Sequence, residues 1–225
     1  MNFFNVIRWL AWKDLLSEMR SRENISSMLF FAIIVILIFS FSFSMDQKTA
    51  QELMPGIMWV AFIFTGIIGL GKSFTAELQN DCLENLQMNP IPRGAIYLGK
   101  LVSNLLFMVI VEVILFPLFV IFFNLDIFEK IPLIMLILMA GTLGVSAVGT
   151  LFSAMTVQIR AREVMLPILL LPLIVPVIIG AVEATGGVLQ GESVMLYRPW
   201  IELLIIFDVI FTIVSFWMFE FILDH

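Results

Sequence analysis

Six stretches of this chain are each about 20 residues or longer and nearly free of charge, and no other feature narrows the possible folds as much. They run from Ile25 to Met45, Leu53 to Gly71, Leu101 to Asn124, Ile131 to Val157, Val164 to Thr185 and Ile201 to Leu223. About 20 apolar residues in a helix are enough to cross about 30 Å of hydrocarbon. The runs are continuous and do not alternate, so they predict helices and not barrel strands, whose backbone groups would have to pair across a closed sheet. Composition agrees. With 61% apolar against 13% charged residues, there is too little polar surface to cover a water-soluble globule. The expected architecture is an all-α integral membrane protein with six transmembrane helices, forming one domain over residues 1–225.

Lysines and arginines orient the spans, because cytoplasmic loops retain positive charge during insertion. The N-terminal segment carries Arg8, Lys13, Arg20 and Arg22, the second loop Lys72, Arg93 and Lys100, and the fourth Arg160 and Arg162. The alternate loops hold Lys48, Lys130 and Arg198. Both termini are therefore expected in the cytoplasm. The net charge of −6 is spread over both faces and gives no support to nucleic-acid binding. Residues 1–24 have no signal-peptide core, since Lys13, Asp14, Glu18 and Arg20 interrupt it. Phe3, Phe4, Trp9, Trp12, Leu16 and Met19, mixed with basic residues, suit a helix lying among lipid headgroups, although they form no single clean stripe.

The loop from Lys72 to Gly99 is the longest on the predicted cytoplasmic side. Asp81 followed by Glu84 fits a capping box, and Asn89-Pro90, Pro92 and Gly94 close the helix that it opens. Leu83 and Leu86 then share one face, a small apolar knob suited to a groove on a soluble partner or to the headgroup layer.

Several of these segments, taken in order, carry a resemblance. Met54-Pro55-Gly56-Ile57-Met58-Trp59-Val60, Glu77-Leu78-Gln79-Asn80-Asp81, Leu83-Glu84-Asn85-Leu86, Pro90-Ile91-Pro92, Gly99-Lys100 and the Pro-rich run from Leu166 to Pro176 resemble the CcmB family, haem exporter protein B of cytochrome c maturation. More broadly they are similar to ABC-2-type transporter permeases. The likeness covers about residues 1–185, with the sixth span matching only as apolar sequence. Cys82-Leu83 stands where the broader superfamily usually shows Gly-Thr before Leu-Glu, a departure within the predicted docking surface.

The resemblance implies a permease in a bacterial-type inner membrane whose short cytoplasmic helix, with Asp81, Leu83, Glu84 and Leu86, is a coupling helix for a separate CcmA-like ATPase. It further implies a second copy of the chain, CcmC-like and CcmD-like membrane proteins, and a CcmE-like haem chaperone, within membrane lipid. Gly66 to Ser73 has the G-x-x-x-x-G-K-[ST] spacing, but it lies at the end of a predicted apolar span and not between a strand and a helix, so it makes no phosphate loop; the resemblance implies that ATP would be hydrolysed on the partner and that the chain itself would be no enzyme. Two roles stay open: export of haem, or ATP-driven release of a haem-loaded chaperone. A permease for another lipophilic substrate is a further alternative. An intramembrane enzyme would need a convergent acid, base or metal set that the spans do not offer.

No cofactor is expected on this chain. Haem iron usually takes His, Met, Cys or Tyr. The single histidine is the terminal His225, the single cysteine is Cys82, and the 14 methionines scatter through apolar spans as flexible packing. Haem would thus be a transported or partner-held ligand.

Within the spans, Glu112 and Asp208 stand out, because a charge at the bilayer centre costs about 2.5 to 3.5 kcal/mol on insertion scales. They mark either a proton or substrate path, or interhelical hydrogen bonds. Small residues from Ala140 to Ala154 predict close packing of the fourth span, with a sliding dimer surface as the alternative. Pro167, Pro172 and Pro176 remove backbone donors from the fifth span and make it the candidate hinge.

Overall fold

The computed structural model describes residues 3–20, 22–42, 47–73, 92–123, 125, 127–157, 159 and 161–222. Among them are seven α-helices, one short 3₁₀ turn at Phe128–Lys130 and no strand. In chain order the helices are α1 (Phe3–Arg20), α2 (Arg22–Ser42), α3 (Gln47–Ser73), α4 (Arg93–Phe122), α5 (Ile131–Thr156), α6 (Arg162–Gln190) and α7 (Val194–Ile222).

Five helices are long and apolar enough to cross a bilayer: the parts Glu52–Ser73 and Glu163–Gln190 of α3 and α6, and essentially all of α4, α5 and α7. The apolar part of α2, Ile25–Phe41, has 17 residues. At 1.5 Å per residue that is about 25 Å, a little less than the hydrocarbon core. Among the described residues the expected six full-length spans are thus five, with α2 as a shorter apolar helix.

The second difference is at the start of α4. The sequence pattern began this span at Leu101, whereas the helix starts at Arg93, directly after Pro92. Residues 93–99 therefore form two more helical turns and are not loop. Gly94, Ala95, Ile96, Tyr97 and Gly99 are all buried there. Proline fixes the backbone angle that a helix start needs, which explains why the helix opens where it does. The N-terminal segment folds as the expected helix, and its missing stripe has a physical reason. Val6 and Ala11 are buried, Leu10 packs beside α4, and Phe4, Trp9, Trp12 and Leu16 point outward. Two opposed apolar faces cannot read as one stripe.

Helix α5 is the hub. It packs against α3, α4, α6 and α7, while α1 lies mainly along α4. In lipid there is no hydrophobic drive between helices, so close contact at small residues must hold them together. The structure shows this at three glycines of α5. The Trp59 ring from α3 occupies the notch at Gly141, the Leu70 side chain that at Gly149, and Asp208 with Phe207 from α7 that at Gly144. Trp59 is fully buried, and its Nε1 donates to Thr185 Oγ1 of α6 at 3.1 Å. One side chain thereby joins α3, α5 and α6. A second apolar cluster, with Tyr97, Leu101, Leu151 and Phe219, closes the end of the bundle where α4 begins.

Gly141→Ala would drive a Cβ into the Trp59 ring, whereas Gly56 has nothing within 4 Å of an added Cβ. Thermal unfolding in detergent should show Gly141→Ala destabilised by about 1–3 kcal/mol, as for overpacked cores. Gly56→Ala should be neutral or up to about 1 kcal/mol more stable, through helix propensity.

Candidate functional site

Polar side chains inside the helical bundle fall into two groups. The first is a junction where α1, the end of α3 and the start of α4 meet. Lys100 of α4 is almost completely buried, with 3% of its side chain exposed. Its Nζ lies 3.0 Å from Asp14 Oδ2 of α1, a close ion pair without hydrogen-bond geometry. The same Nζ donates to the carbonyl oxygen of Ser73, the last residue of α3, at 3.0 Å. A cation on the final carbonyls of a helix meets the negative end of its dipole. The network continues inward. Ser73 Oγ donates to Asn104 Oδ1 at 2.8 Å, and Asn104 Nδ2 donates to Thr150 Oγ1 of α5 at 2.9 Å. Ser153 Oγ donates to the Leu70 carbonyl at 2.6 Å. At the same end, Arg93 donates to the carbonyl of Glu220 in α7 at 3.1 Å.

Helix α3 ends at Ser73 and α4 starts at Arg93, at this end of the bundle. Asp81, Leu83, Glu84 and Leu86, the predicted coupling residues, lie outside the described residues, as do Cys82 and His225. The sequence reading missed the junction because it counted Lys100 as a loop cation. Two signals were available: Asp14 stands among tryptophans and leucines, and Lys100 follows Gly99. A Cβ at position 99 would come within 2.8 Å of Leu10 Cβ, so glycine is what lets α1 approach α4.

The second group lies within the spans. Glu112 of α4 is buried and accepts a hydrogen bond from Thr142 Oγ1 of α5 at 2.6 Å. Thr65 of α3 lines a narrow crevice beside Glu112, and its hydroxyl has no hydrogen-bond partner among the described residues. Asp208 of α7 is also buried, and its Oδ1 has no hydrogen-bond partner among the described residues. That oxygen presses on Gly144, where a Cβ would sit 2.7 Å away. Thr142 and Gly144 are two residues apart, so about 200° separates them around α5. The helix thus stands between the two carboxyl groups, and the structure does not bring Glu112 and Asp208 together.

Pro167, Pro172 and Pro176 all lie in α6, which runs through them as one unbroken helix. Pro172 and Pro176, one turn apart, are exposed, and Pro167 is half-buried. The end of α6 is fixed firmly. Gly191 adopts φ 71°, Glu192 N–H reaches back to the Gly187 carbonyl at 2.9 Å, and Lys130 donates to the Leu189 carbonyl at 2.8 Å.

The family model described as CcmB protein matches residues 1–222. The chain belongs to the CcmB family. The match includes the last helix, which the sequence motifs alone had left as generic apolar sequence. Heme exporter protein B of Pseudomonas aeruginosa is 30% identical over 190 residues, 84% of this chain and 83% of that protein. Heme exporter protein B of Haemophilus influenzae is 29% identical over 189 residues, 83% of each chain. The Rhodobacter capsulatus protein of the same name is 27% identical over 188 residues, 84% of this chain and 86% of that protein. Family and fold together describe a multi-pass helical membrane protein.

The Thr142 hydrogen bond predicts an order of effects in this CcmB-family chain. Thr142→Val leaves a buried carboxyl without its donor and should cost about 1–3 kcal/mol. Glu112→Gln keeps an acceptor and should cost less. Denaturation of the two variants in matched detergent would check the order, and equal losses would show that the bond does not hold α4 to α5.

Proposed function

We propose that this chain is the permease of a haem-exporting ABC complex in a bacterial-type inner membrane, driven by ATP hydrolysed on a separate subunit. The end-to-end match to the CcmB family, with relatives named Heme exporter protein B, carries this reading. In this reading α2 is the first of six spans, its apolar sequence reaching Met45, and both termini face the cytoplasm with the basic segments of the even loops. Helix α1 is the interfacial helix, the segment between Ser73 and Pro92 is the coupling region, and a second copy completes the transport path.

The coupling element is the short helix beginning near Asp81. Leu83 and Leu86 form its apolar knob, and Asp81 with Glu84 caps its start. Closure of the ATPase pair would displace this helix, and the displacement would pass to the helices on either side of it, α3 and α4. Their ends are the ones joined at Lys100, which supports the reading by giving the displacement a polar joint to act on. Glu112 and Asp208 are available as polar contacts along the path, and the prolines of α6 as its bending element. Haem would pass without being ligated by this chain.

Replacing Leu83 and Leu86 together by Arg should leave the permease in the membrane while its effect on partner ATPase activity disappears. Retention of wild-type stimulation would reject the docking role. Haem crossing reconstituted bilayers only with ATP supports export; ATP-dependent release of a haem-loaded chaperone without crossing would move the function to remodelling.

A further inference from the structure

We propose that Lys100 is a positioning residue that locks helix α1 to the facing ends of α3 and α4, so that α1 moves with them as part of the coupling device. The inference deepens the ATPase-coupling reading and rests on it for its functional half.

The argument begins with desolvation. A lysine that keeps only 3% of its side chain exposed is stable only if its charge is paired and its donors are used. The two partners identified here come from different helices: the Asp14 carboxylate from α1 and the Ser73 carbonyl from α3. Lys100 itself belongs to α4, and one ammonium group therefore joins three helices. Helix α1 packs on α4 and, to a smaller extent, on α2, and this ammonium group links it to the end of α3. The contact is tight as well as charged. Gly99 brings the α1 backbone close enough that an added Cβ would lie 3.5 Å from the Ile7 carbonyl oxygen. The Ser73 hydroxyl hands the connection on to Asn104, and Asn104 to Thr150 of α5. A displacement of the α3 and α4 ends relative to one another would have to break the buried pair or carry α1 along. Breaking it would part the buried Lys100 ammonium from the Asp14 carboxylate away from water, so carrying α1 is the cheaper response.

The junction can be tested in the assembled complex of permease and ATPase, in a Cys82→Ser background. Spin labels on cysteines placed at Ser17 of α1 and Val113 of α4, both exposed, report how firmly α1 is held. Lys100→Met and Asp14→Asn should broaden the Ser17–Val113 distance distribution and lower permease-dependent ATPase stimulation by at least about fivefold, the lower end of usual coupling strengths. Lys100→Arg, which keeps charge and donors, should retain both. A narrow distribution in Lys100→Met would overturn the lock. A broad distribution with full ATPase stimulation would overturn its part in coupling. If the Leu83 and Leu86 double variant also keeps full stimulation, the docking reading fails instead, while the label distances still decide whether Lys100 holds α1.

Discussion

Close approach to α5 is the constraint on which the rest of the bundle depends. Lipid gives no hydrophobic reason for one apolar helix to prefer another, so α3 and α7 are held to α5 by the contact area and hydrogen bonds that small residues permit. Gly141, Gly144 and Gly149 receive an indole, a carboxyl and a leucine in turn. Hydrogen bonds hold α4 to the same helix. Ser146 donates to the Leu101 carbonyl at 3.3 Å and Tyr97 to the Ala147 carbonyl at 3.1 Å, both between α4 and α5.

The buried polar groups follow a division of labour along the bundle axis. At the two ends lysines cap helix C-termini, Lys100 on α3 and Lys130 on α6, where the last carbonyls have no intrahelical partner. Between the ends the bonds are short-range and neutral or single-acid, such as Trp59 to Thr185 and Thr142 to Glu112. Charge is thus concentrated where helices enter and leave the membrane-facing core, and the interior is joined mainly by hydroxyl, indole and amide donors. The end occupied by Lys100 is the richer, because α1 adds a carboxylate that no span supplies.

How much of this could be read from sequence depended on the distance over which a residue finds its partner. Helix α5 was legible to within a residue of each end, since Pro132 near its start and a long charge-free run fix it locally. The start of α4 was misplaced because Arg93 and Lys100 look like loop charges, although one bonds to α7 and the other is buried in the α1–α4 contact. Glu112 was recognisable as a polar group needing a partner. That the partner is Thr142, 30 residues away, depends on the packing register of two helices and left no local pattern. The pairing of Asp14 with Lys100 spans a still longer stretch of chain and escaped for the same reason. Of the predicted docking residues, all four fall between Ser73 and Pro92, outside the described structure.

The two intramembrane acids are chemically alike yet differently placed, and the difference follows from α5. Burying a carboxyl in a span is unfavourable by about 2.5 to 3.5 kcal/mol, and an interhelical hydrogen bond returns about 1–2 kcal/mol of that. Glu112 receives such a bond from Thr142 and serves to hold α4 on α5. Asp208 Oδ1 receives none and instead rests on the bare backbone at Gly144, with Phe207 and Val177 around the notch. Gly144 and Asp208 are therefore one unit. A side chain at 144 would have to displace this carboxyl. Of the two acids, Asp208 is thus the one seated on bare backbone, with no donor to its Oδ1 among the described residues.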